Sequence, residues 1–188
     1  KDALVFFLER LSSEQQQQIL RQQATLPPQA SISQRLAALA RSCPVLHKLG
    51  QVLARDRRLA PELRFQLQRL ESMPPLVSEA AMRRLLADEL GPLERHGIEL
   101  LPPAIAEASV ALVVRFLQTG GEQRCGVFKI LKPGIVERLQ QELELTWEVG
   151  DFLDQRCEEL QIPAFDYRET FEKVHDKLRW EVLLDQEQ

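Results

Sequence analysis

The chain has 188 residues, 44% of them hydrophobic and 28% charged, enough apolar material for a proper core in one compact unit or two small lobes. With 24 Lys and Arg against 28 Asp and Glu, the formal charge is -4 and the pI is near 5.5, so there is no general basic field and nucleic acid is not an expected partner. Cys43, Cys125 and Cys157 are odd in number and widely spaced, and His47, His96 and His175 stand apart, which argues against a disulfide framework or a zinc motif and points to a reducing compartment.

The first residues, ALVFFLERL (3–11) and EQQQQILRQQ (14–23), suit helix, and PPQAS (27–31) is a break. SISQRLAALARS (31–42) opens on a serine placed to cap the next helix, and Leu46, Leu49 and Leu53 carry helical spacing into another. The cluster Arg55, Arg57, Arg58 and Arg64 reads as a solvated helix face. Pro61 fits a first helical turn, Met73-Pro74-Pro75 ends that helix, and Ser78 caps SEAAMRRLLADEL, which stops at Gly91-Pro92.

The composition then changes. ASVALVVRFL (108–117), the turn TGGE (119–122) and RCGVFKILK (124–132) predict a β-hairpin rich in valine. Its longest apolar run, SVALVVRFL, is too short to span a bilayer and carries Arg115. Pro133-Gly134 closes the hairpin, and a long helix over 135–160 follows, with Gly150 as its weak point. After QIPAFD (161–166) a last helix runs from 167 to the end. The chain begins with Lys1, shows no signal peptide and stops at Gln188 in mid-pattern, so it reads as a piece of a longer, cytoplasmic protein.

Lys129 is the residue that asks for an explanation. Alternation sets Val127, Lys129 and Leu131 on one face of the strand and Gly126, Phe128 and Ile130 on the other. A lysine there either snorkels to water or meets a carboxylate, because a buried unpaired ammonium costs several kcal/mol. A lysine strand with a hairpin partner before it and glutamate-rich helices after it is the layout of a protein-kinase N-terminal lobe, where the lysine holds the nucleotide phosphates. The glycine loop G-x-G-x-x-G that should precede such a strand is not there.

What stands in its place is PAIAEASVALVV (103–114), and with HKLGQ (47–51) it resembles the UbiB/AarF family of atypical kinases, linked to coenzyme Q (ubiquinone) synthesis. Lys48, Gly50 and Gln51 match that family's K-x-G-Q motif, and Ala106, Ala108 and Ser109 match the alanine-rich loop it carries instead of a glycine loop. Lys129 matches its nucleotide lysine and Pro133-Gly134 the turn that follows. Leu70 to Pro75 is similar to its L-Q-D-x-x-P-P segment. The likeness covers residues 43–188 and leaves 1–42 as a helical N-terminal extension.

The resemblance implies an α+β fold, a kinase-like N-terminal lobe with a small antiparallel sheet, whose C-terminal lobe is absent from this chain. It implies ATP with Mg2+ as cofactor, bound through Lys129, Glu187, Ala106, Ala108 and Ser109, with Glu187 the carboxylate partner of Lys129. Apart from the resemblance, Glu142 on the helix that follows the strand is the fallback partner. The resemblance also implies that Glu181 faces Lys48 of the regulatory K-x-G-Q helix. Six residues turn about 240° around a helix, so Glu181 and Glu187 point apart and serve two separate pairs. Gly50 is then the position at which that helix approaches the loop closely. The catalytic base and the metal-holding aspartate belong to the second lobe, so no catalytic or metal residue is assigned here.

The chain also departs from the family pattern. Leu183 stands where E-x-D would have aspartate, Leu112 and Val114 where the loop has glutamine and histidine, and Ala54, Asp56 and Arg58 replace the S-x-R-x-D segment. Two readings follow. One is an ATP phosphotransferase or ATPase, with a nucleotide and a lipid-related substrate as partners. The other is a degenerate pseudokinase, a helical module that docks a partner or an inner-membrane surface through Phe6, Phe7 and Leu11.

Overall fold

The computed structural model describes residues 2–55, 57, 59–71, 75, 77–119, 124–162 and 166–183. They divide into two compact units, one formed by residues 1–70 with 136–188 and the other by 71–135.

The first unit is helical: α1 Asp2–Arg10, α2 Ser13–Ala24, α3 Ile32–Ser42, α4 Pro44–Leu53, α5 Pro61–Gln68, α7 Ile135–Arg156 and α8 Tyr167–Val182. Their starts follow from local chemistry. Ser12 and Ser31 each accept the amide three residues on, while Gln15 and Gln34 reach back to the serine amide, two complete capping boxes. Pro44 and Pro61 sit in first turns, where a missing N–H leaves no bond unmade. Asp166 caps α8.

The core of this unit joins Phe7 and Leu11 to Ile19, Leu39, Cys43 and Val149. Phe7 and Leu11, expected on a docking surface, are therefore interior residues, and Phe6 is half-buried with its ring 4.5 Å from that of Phe152. The same apolar face cannot serve both a core and a partner. Gly150 does not interrupt α7. A Cβ there would lie 2.9 Å from the Arg168 Cα, so the glycine is what lets α8 start against α7.

The second unit holds α6, Glu79–Leu90, and a three-stranded antiparallel sheet of order β1-β2-β3: Ile98–Glu107, Ala111–Gln118 and Arg124–Leu131. The hairpin predicted over 108–117 and 124–132 is β2 with β3. The strand β1 was not predicted, and it corrects the expected loop: Ala106 is in paired strand, opposite Val113, and only Ala108, Ser109 and Val110 remain as a tight turn. Pro102 and Pro103 obscured it, since proline cannot donate to a ladder. The register accordingly breaks between Leu101 and Ala106.

One face of the sheet packs on α6 through Met82, Leu86, Leu93, Leu100, Leu112, Val114 and Ile130. Leu112 and Val114, where the resemblance led to expect polar residues, are fully buried in this core. Phe116 lies over Gly126, where any Cβ would meet the ring at 2.5 Å, and stacks on Phe128 with centroids 4.3 Å apart.

Candidate functional site

The residues singled out in the sequence fall into two groups, one in each unit. In the sheet unit, strand register sets the geometry. Ala106, Val113 and Lys129 are directly opposite one another across the three strands and so share one face. It is the face away from α6, and Lys129 is exposed on it beside the 57%-exposed Val127. The next row, Glu107, Leu112 and Ile130, lies on the covered face.

That alternation separates two lysines with different surroundings. Lys132, three positions after Lys129, falls on the covered side, where its Nζ pairs with Glu107 at 2.8 Å and the two side chains are only 14% and 5% exposed. Its amide donates to the Val110 carbonyl at 2.9 Å, and the Ala108 amide donates to the Ala111 carbonyl at 2.8 Å. The alanine-rich turn is thus held at both ends, with Ser109 and Val110 buried and Ala108 exposed. Neither member of the Glu107–Lys132 pair was anticipated. The available signal was an acid inside the otherwise apolar PAIAEASVALVV.

In the helical unit, Lys48 and Gln51 are half-buried on α4, and Lys48 Nζ forms an ion pair with Glu181 Oε1 on α8, 133 residues away. The side chains are 23% and 27% exposed. Gly50 is buried against α5. A Cβ there would stand 2.9 Å from Leu70 Cδ1 and 3.2 Å from Leu67 Cδ2, so the glycine seats α4 on α5 and the turn after it.

The carboxylates proposed for Lys129 have different outcomes. Glu187 lies outside the described residues, as do Asp56 and Arg58. Glu142 commits both oxygens inside the helical unit, Oε1 to Arg138 Nε and Oε2 to the Val45 amide, each at 3.1 Å. It is completely buried, and burial pushes its carboxyl up to about 7, against the opposing pull of Arg138 and the Val45 N–H. Burial, and after it the Glu142 charge, push the Cys43 thiol up well beyond its ordinary range, which favours the protonated thiol. Leu183, at the position of the E-x-D aspartate, is 40% exposed at the end of α8.

Among the described residues no group of three His, Cys, Asp or Glu side chains could hold a metal ion. No helix among them is long and apolar enough to cross a membrane.

A lysine on the open face of a three-stranded antiparallel sheet, a tight alanine-rich turn at its end and a covering helix on the opposite face define an α+β lobe of the protein-kinase N-terminal kind. Among curated proteins, a probable protein kinase UbiB from Marinobacter nauticus is 33% identical over 161 residues, 80% of this chain and 28% of the relative. This likeness supports membership of the UbiB family. The chain spans little more than a quarter of that relative's length. No family model and no solved structure matches it.

Proposed function

We propose that this chain is the N-terminal portion of an atypical kinase-like protein that binds ATP and acts as a phosphotransferase or ATPase in ubiquinone synthesis. The observation that supports this reading best is the Lys48–Glu181 ion pair, which joins the K-x-G-Q helix to α8 as the family resemblance implies. The second support is the register that sets Lys129 and Ala106 on one open face of the sheet.

On this reading Lys129 is the residue that holds the phosphates of ATP. The backbone of the turn contributes less than a glycine loop would, because the Ala108 amide is already bonded to Ala111. ATP supplies the phosphoryl group, and magnesium needs acidic ligands that the described residues do not group together. The docking-module reading is the weaker of the two, since Phe7 and Leu11 belong to the core.

Calorimetric titration of ATP with magnesium tests the proposal. The 188-residue chain should bind weakly and the full-length protein much more tightly, and Lys129→Ala should abolish the tighter binding. Tight binding by the 188-residue chain that survives Lys129→Ala would place the nucleotide elsewhere and overturn this assignment.

A further inference from the structure

The helix that carries Lys48 has no cap of its own. Cys43 occupies the N-cap of α4 without a side-chain bond, and Pro44 follows it. The acceptor comes instead from α7, 97 residues further along, where Glu142 Oε2 takes the Val45 amide. A carboxylate at that point also faces the positive end of the helix dipole. Arg138, one turn earlier on α7, donates Nε to the other oxygen of Glu142, Nη2 to the Ser42 carbonyl that closes α3, and Nη1 to Gln18 of α2 at 3.1 Å. A single Arg-Glu pair thus grips the chain on both sides of Cys43, the one residue between α3 and α4.

We infer that Arg138 and Glu142 are positioning residues for Lys48 and Gln51, fixing where α4 begins and so where these side chains stand toward α8. The helix is short and stiff, with Lys48 less than one turn beyond Val45. A displacement at the cap is therefore carried to the lysine that pairs with Glu181. A leucine would fill the place of Glu142 without burying a charge. What the carboxylate adds is a directed bond to one amide and one guanidinium. The inference goes beyond the nucleotide reading and does not depend on it.

The test uses Glu142→Leu, Glu142→Gln and Arg138→Met in the full-length protein, with two readouts. One is hydrogen exchange of peptides covering residues 43–49; the other is the extent of labelling of Lys48 by an amine-reactive reagent, with the exposed Lys173 as internal reference. Glu142→Leu should speed exchange at the start of α4 about fivefold, the equivalent of one lost cap, and raise Lys48 labelling several-fold while leaving Lys173 unchanged. Glu142→Gln keeps an acceptor oxygen and should restore both readouts. Unchanged Lys48 labelling in Glu142→Leu, or a glutamine variant no better than leucine, would overturn the inference. Should Glu142→Leu fail to fold, Arg138→Met retains the carboxylate but releases Ser42. Lys48 labelling should then rise, and a wild-type value there would equally overturn it.

Discussion

The two units are held together by different means. In the helical unit the defining polar contacts join residues far apart in sequence: Val45 with Glu142, Lys48 with Glu181 and Arg10 with Glu148, separated by 97, 133 and 138 residues. In the sheet unit the ladders set the face each strand residue takes, and the Glu107–Lys132 pair ties the end of β1 to the residue after β3 across β2. Sheet geometry is set by a ladder that allows only steps of two residues, so a side chain's face is decided once pairing is decided. A helix pack has no such ladder. Its apolar faces tolerate sliding and rotation, and directed bonds to charged groups remove that freedom.

The largest effect expected from a single change is in the sheet. Leu112 is 0% exposed among Met82, Val114 and Ile130, and Leu112→Ala should cost about 2–5 kcal/mol through lost burial and the cavity left behind. Urea denaturation would measure it. A loss as small as that from breaking one ion pair would show that the sheet, too, depends on polar contacts.

Next comes the pH dependence of the helical unit. The Glu142 carboxyl is raised from 4.5 to about 7 by burial, so between those values the folded state holds a proton that the unfolded state has released. Its contribution is fully present below pH 4.5 and is lost as the pH rises through 7, a change of about 3 kcal/mol at about 1.4 kcal/mol per pH unit. Denaturation at pH 5, 6, 7 and 8 should show this decline in the wild type, and Glu142→Gln should remove that component of the slope. An identical slope in both proteins would show that Glu142 titrates as it does in water.

Gly150→Ala is a smaller test of close packing in the same unit. The new Cβ would meet the Arg168 backbone, which cannot rotate away as a side chain could. Overpacking of about 1–3 kcal/mol is offset by about 1 kcal/mol of helix propensity, leaving a net loss of about 1 kcal/mol in thermal or urea unfolding. A stabilised variant would mean that α8 moves freely along α7.

The smallest effect belongs to the Lys48–Glu181 pair, whose side chains are about one quarter exposed. A double-mutant cycle with Lys48→Met and Glu181→Gln should give a coupling of about 0.5–1 kcal/mol, reduced by salt. No coupling at low salt would show that this ion pair does not help to hold α8 to α4.

Much of this architecture was legible in the amino-acid sequence because its causes are local. Serine caps, first-turn prolines and apolar spacing mark α2, α3, α5 and α6, and alternation with a glycine turn marks β2 and β3. The positions of Lys48 and Lys129 could be read from motifs, and the alternation at Lys129 did separate its face from that of Phe128 and Ile130. Only the tertiary structure decided the rest. It made PPAIAE the last part of β1, with Ala106 and Glu107 paired to β2 and the two prolines accommodated in the break of register before them. It gave Gly50 to Leu67 and Leu70, and Gly150 to the Arg168 backbone, because a glycine's purpose depends on what approaches it. It assigned Glu142 to the start of α4, since no local rule tells a buried carboxylate which of many distant amides it will accept.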